Sequence, residues 1–165
     1  MRRRIAFALA LLTGVVSVLV AESVDLVIEG LQETYASVSD VRVTLRNTAL
    51  LPVNLDSFQV DLLLVDRLAE DGKTWRRGLG FGCANAGVGT PRSISPGQSM
   101  EVPLVRSWAF RPEKVPEYFE AETGEKAPLS GRYRVTVRYS LEPWSDITHV
   151  PSEIKTAVSA EFEVK

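Results

Sequence analysis

Apolar and polar residues alternate with a period of two along most of this chain, the pattern of strands with one buried and one solvated face. Val24, Leu26 and Ile28 alternate with Asp25 and Glu29. Val41, Val43 and Leu45 alternate with Asp40, Arg42, Thr44 and Arg46. Asn47-Thr48 closes that run, and Pro52, which has no amide proton, would interrupt a ladder there. Phe58, Val60, Leu62 and Leu64 form a further set in which Leu63 and Val65 are also apolar. That strand is expected to be covered on both faces, near the centre of a sheet. The clearest run sets Tyr133, Val135, Val137, Tyr139 and Leu141 against Arg132, Arg134, Thr136 and Arg138. A final strand is expected to place Val158, Ala160, Phe162 and Val164 on one face and Ser159, Glu161 and Glu163 on the other.

Turn residues separate these runs. Glu70-Asp71-Gly72-Lys73 reads as a hairpin turn, with Thr74 to Arg77 as the returning strand. Gly78 to Thr90 holds five glycines and reads as a loop. Ser95-Pro96-Gly97-Gln98 is a second turn signal, followed by alternation through Met100, Val102 and Leu104. Pro103 argues that this strand lies at a sheet edge. Residues 106–130 break the pattern, and Glu113 to Glu122 suggests a short helical turn with Tyr118 and Phe119 packed inward. The expected fold is all-β: an antiparallel immunoglobulin-like β-sandwich of about seven strands. If its last two strands are neighbours, the arginine row of one faces water beside Glu161 and Glu163 of the other, as cross-strand pairs.

The chain begins differently. Met1-Arg2-Arg3-Arg4 is a positive segment, Ile5 to Val20 is uncharged and apolar, and a small residue, Ala21, precedes the polar Glu22-Ser23. That layout predicts a signal peptide over residues 1–21 and a β-sandwich domain over residues 22–165. The rival reading is an uncleaved anchor, since Ile5 to Ala21 would just span a thin bilayer. No cysteine follows the run, so no lipoprotein anchor is available. The expected location is therefore exported, periplasmic or extracellular, with no membrane span after cleavage. The 144 residues that remain hold 16 basic and 21 acidic side chains, a net charge of −5 with His neutral. Such a balance gives no electrostatic basis for nucleic-acid binding.

Catalytic and metal-binding signatures are sparse. One cysteine, Cys83, and one histidine, His149, cannot form a multi-ligand zinc or copper site, and no intrachain disulfide is possible. Cys83 is a candidate intermolecular thiol. No G-x-S-x-G elbow is present, and the glycines from Gly78 to Gly89 do not open a helix after a parallel strand, as a phosphate cradle requires. The expectation is a non-catalytic protein without a cofactor, with an enzyme resting on Cys83 and His149 as the remote alternative.

Val41-Arg42-Val43-Thr44-Leu45-Arg46-Asn47-Thr48, Ser95-Pro96-Gly97-Gln98-Ser99 and Gly131-Arg132-Tyr133-Arg134-Val135 resemble strands of bacterial exported immunoglobulin-like domains. The stretch from Asp61 to Trp75 is similar to the bacterial intracellular proteinase inhibitor family. Glu142-Pro143-Trp144 and Gly87-Val88-Gly89 resemble the Arg-Pro-Trp and Gly-rich loops of chagasin-type cysteine-protease inhibitors, although Glu142 stands where that family has a cation and its Asn-Pro-Thr-Thr-Gly loop is missing. These resemblances imply a sandwich that acts by binding another protein, either as an accessory module of the cell envelope or as a protease inhibitor. The candidate interaction residues are Asn47, Leu50, Pro52, Gly87, Gly89, Glu142, Pro143 and Trp144. Cleavage after Ala21 predicts that N-terminal sequencing of the exported protein reads Glu-Ser-Val-Asp; recovery of the intact N-terminus would show a retained anchor.

Overall fold

The computed structural model describes residues 24–55, 62–78, 92–104, 117–143 and 150–165, and those residues form strands and tight turns. In chain order, β1 is Leu26–Glu29 and β2 is Thr34–Tyr35. A single 3-10 turn, Val38–Asp40, follows, capped by Ser37 Oγ, which accepts a hydrogen bond from Ser39 N. Then come β3 (Arg42–Asn47), β4 (Val53–Leu55), β5 (Leu64–Leu68) and β6 (Trp75–Arg77). β7 (Arg92–Ile94), β8 (Ser99–Pro103), β9 (Phe119–Glu120) and β10 (Lys126–Ala127) lead to the longest strand, β11 (Gly131–Ser140). β12 (Lys155–Val158) and β13 (Phe162–Val164) close the chain.

β1, β3 and β8 form a small antiparallel sheet with β3 in the middle. β8 lies at its edge, as Pro103 requires. The large sheet is organised by β11, which pairs antiparallel with β4, β5, β12 and β13. β2 lies parallel to β13, so the N-terminal segment pairs first with the small sheet and then with the large one. One hydrophobic core draws on both sheets. Leu26, Val43, Leu45 and Val102 meet Val53, Leu55, Val65, Val135 and Val137 in a single cluster. Among the described residues no helix is long and apolar enough to cross a membrane.

The alternation along β11 is realised as read. Tyr133, Val135, Val137 and Tyr139 are buried on the inner face. Tyr133 anchors an aromatic chain: it stacks on Phe162 at 5.8 Å between ring centres and meets the edge of Phe119 at 6.0 Å, while Phe162 meets Tyr35 at 5.7 Å. Such pairs contribute about 0.5–1.5 kcal/mol each beyond area burial. Tyr133 Oη donates to Leu129 O at 2.5 Å, and burial pushes its hydroxyl pKa up to about 12.

Several expectations change. Residues 119–127 form the β9–β10 hairpin and not a helical turn, with Phe119 buried and Tyr118 turned outward. Adjacent strand residues face opposite ways, so both rings could not point inward. Pro52 does not end pairing: β4 begins one residue later and joins β11 to β7. The last strand is not one uniform face. Tyr133 pairs with Phe162 but Thr136 with Val158, so two residues of β11 oppose three of its partner. This one-residue bulge turns Ala157 inward and leaves Val158 53 % exposed. Ser159 seals it, its N donating to Val135 O and its Oγ accepting from Val135 N. β5 is flanked on both sides, by β11 and β6, but it covers Leu64–Leu68; Leu62 and Leu63 are buried in bends before it, and Phe58 and Val60 lie outside the described residues.

The arginine row has a partner that its own strand does not announce. Asp66 lies directly across from Arg134 on one side and Arg77 on the other. Its carboxylate accepts from Arg77 Nε and, at 3.2 Å, from Arg134 Nε, and it is 3 % exposed. Arg134 also lies over the Trp75 ring at 4.5 Å. Arg132 pairs with Glu161. A buried carboxylate satisfied by two guanidiniums is costly to remove because both cations lose their acceptor. Asp66→Ala is expected to destabilise the fold by about 3 kcal/mol, read as the shift of the urea midpoint; a change within error would show that the cluster is not coupled to folding.

Candidate functional site

The hydrogen bonds and strand registers bring two of the three candidate loops to one end of the molecule. β3 leaves the core at Asn47, which is fully buried. Its Nδ2 donates to Leu51 O at 2.9 Å and Ile94 O at 2.7 Å, and its Oδ1 accepts from Ala49 N at 2.8 Å. An Asn side chain can satisfy donors and acceptors at once, so one residue holds the β3–β4 loop and the end of β7. Its backbone does the same for the next turn: Asn47 N donates to Gln98 O and Asn47 O accepts from Gly97 N. Gly97 has φ +72°, the left-handed conformation that this turn needs.

The start of the described chain is fastened to this end too. Thr48 N donates to Asp25 O at 2.9 Å, and Thr48 Oγ1 donates to Val24 O. Asp25 Oδ2 takes Lys155 Nζ at 2.7 Å, which raises the Lys155 ammonium above its ordinary pKa. Burial, followed by the nearby Asp25 charge, raises that of Tyr139. On the other side Asn54 pairs with Ser140, and Glu142 follows directly. The Glu142 carboxylate accepts from Ser152 N at 2.9 Å and Ser152 Oγ at 2.6 Å, so it folds back and braces the β11–β12 loop.

Apolar side chains stand outward here among polar ones such as Thr48 and Glu142. Leu50 is 95 % exposed, Leu51 55 %, Val24 61 % and Val150 59 %. Pro52, next to Leu51, and Pro143 are exposed as well. These four account for most of the large exposed hydrophobics among the described residues; Tyr118 and Val158 lie elsewhere. Among the described residues no group of three His, Cys, Asp or Glu side chains could hold a metal ion. Asp25 and Glu142, the acids that shape this end, already have donors. The arrangement therefore sets exposed apolar side chains on a hydrogen-bonded base.

The candidate residues divide accordingly. Leu50, Pro52 and Pro143 are outward at this end. Asn47 is not a contact residue: its side chain is consumed inside the turn it builds. Glu142 sits at the right end but is occupied by Ser152. Gly87, Gly89, Cys83, Trp144 and His149 lie outside the described residues. Val24 is not among the sequence candidates; Leu51 and Val150 fall within the candidate loops 49–54 and 142–150 but are not singled out there. The adjacent leucines Leu50-Leu51 carried a signal, because consecutive apolar residues in a short turn between a buried Asn and a Pro cannot all reach the core. Comparison with protein-family models, with curated proteins and with solved structures yields no significant match.

Asn47→Ala would remove the buried side-chain donor to the Leu51 and Ile94 carbonyls. It is expected to cost about 2 kcal/mol, measured by thermal unfolding, whereas Leu50→Asp leaves the melting temperature unchanged. Equal effects of the two substitutions would contradict this division.

Proposed function

We propose that the protein is an exported, non-catalytic β-sandwich of immunoglobulin-like type that binds another protein of the cell envelope. Its contact surface is the end that carries the β3–β4 and β11–β12 loops, with Leu50 at its centre and Pro52 and Pro143 beside it. The observation that carries this reading is Leu50 itself: a leucine 95 % exposed on a loop whose base is locked by a buried Asn. Exposed apolar side chains on a rigid base gain contact area at little cost in ordering. The immunoglobulin-like assignment is supported by the shared core of two sheets and by the N-terminal segment that pairs with both. The signal-peptide pattern supports export, and the net charge of −5 over residues 22–165 argues against nucleic acid as the partner.

A protease inhibitor is the second reading. It is favoured by the convergence of Leu50 and Pro143, on separate loops, at one end, which is how a wedge of loops would enter an active-site cleft. Trp144 follows Pro143 in the chain and would extend such a wedge.

Crosslinked affinity capture from the native envelope tests both. Leu50→Asp is expected to reduce recovery of the partner roughly tenfold or more, as for a central contact residue. Val158→Asp, an exposed apolar position on the sheet face, is expected to leave it unchanged. Equal recovery with both variants would contradict the assignment of the loop end. If the partner is a protease and the protein abolishes its activity, the inhibitor reading stands; a panel of cysteine and serine proteases left active by excess protein removes it.

A further inference from the structure

The first described residues join the molecule at the loop end. Val24 O accepts from Thr48 Oγ1 and Asp25 O from Thr48 N, so the chain is fastened to the β3–β4 loop two positions before Leu50. Asp25 Oδ2 takes Lys155 Nζ at 2.7 Å, and Lys155 lies across from Tyr139 near the loop end of β11. β1 then runs away from this end, from Leu26 beside Asn47 to Glu29 beside Thr44. The attachment point of everything before Val24 is therefore next to Leu50 and Leu51.

That position matters because of what precedes it. Only Glu22 and Ser23 separate Val24 from Ala21, the last residue of the uncharged run Ile5 to Ala21. Three peptide steps reach at most about 11 Å. While the run is embedded in a bilayer, Val24 is held within that reach of the hydrocarbon edge, and the headgroup layer takes up roughly 5–8 Å of it. A small protein domain is about 30 Å across, so none can enter between the loop end and the lipid. The side chains that meet the headgroups there are apolar: Leu50 is 95 % exposed, Val24 61 % and Leu51 55 %. Such side chains gain by burial at the headgroup–acyl boundary. Asp25, the acid nearest the attachment point, already has Lys155 as its counter-ion and does not oppose that approach.

We propose that in the uncleaved chain the loop end lies against the lipid bilayer, with Val24, Leu50 and Leu51 at headgroup level, and that removal of residues 1–21 uncovers it. The inference rests on the signal-peptide reading and on the contact surface assigned above, whose regulation it supplies. Export processing is then the step that opens the surface to a partner, and a retained anchor keeps it closed.

The test compares full chains anchored in vesicles of phosphatidylethanolamine and phosphatidylglycerol, recovered by flotation. Cys83→Ser removes the one natural cysteine. A single cysteine is then placed at the loop end, Leu50→Cys, or at the opposite end, Lys73→Cys, in the exposed β5–β6 turn beyond the Gly131 end of β11. Each is made with and without about twenty Gly and Ser residues between Ser23 and Val24, a spacer with a reach of roughly 25 Å. The readout is the rate of labelling by a maleimide-polyethylene glycol. Without the spacer, Leu50→Cys is expected to react about tenfold more slowly, an accessible fraction of about a tenth. Lys73→Cys should react equally fast in both chains. A Leu50→Cys rate that the spacer does not change, a Lys73→Cys rate slowed as much, or a chain that does not float with the vesicles would each overturn the proposal. No partner is present in this assay, so its failure is separate from that of the partner reading. Masking by the bilayer, together with a processed protein that captures nothing, would remove only the latter.

Discussion

The structure depends on the inner face of one strand. Tyr133, Val135, Val137 and Tyr139 of β11 are buried along its length, and four other strands of the large sheet take their register from it. Because a one-residue slip would turn every one of these side chains to water, the burial of the row fixes the pairing. The two halves of the strand then serve different ends of the molecule. Tyr133 organises the aromatic chain through Phe119, Phe162 and Tyr35. Tyr139 and Ser140 hold β4 and the base of the loop end.

Asn47 carries that order outward. It is the last residue of β3, wholly buried, and its side chain ties the β3–β4 loop to the end of β7. The N-terminal segment, fixed through Thr48 and the Asp25–Lys155 pair, adds a third element. A loop built this way presents Leu50 as part of a rigid surface. At the opposite end the same sheet sets Arg67 directly across from Arg76, with Glu125 beside Arg76.

Much of the sheet was readable from alternation. The β5–β6 turn at Gly72, the edge position of Pro103, the two faces of β11 and its pairing with the last strand all follow from residue patterning and turn chemistry. What escaped was short or non-local. β2, β4, β7 and the β9–β10 hairpin have two or three residues each, too few for a period to show. The bulge at Ser159 is invisible because Ala157 and Val158 are both apolar, so the one-residue shift of phase leaves no mark in the pattern. Asp66 carries no mark of its role in the sequence, because that role depends on arginines eleven and sixty-eight positions away. Asn47 looked like a loop residue because Asn favours turns; that it builds the turn from inside is a tertiary fact. That the segments carrying Val24, Leu50 and Val150 meet at one end needed the fold.

The central claim is that the loop end is a rigid extension of the core. Native-state hydrogen exchange tests it most directly, at the Ala49 amide that donates to Asn47 Oδ1. Its protection should approach that of the Val135 and Val137 amides, opening only with the fold as a whole. Exchange of Ala49 at the rate of a frayed loop, with β11 still protected, would contradict the account.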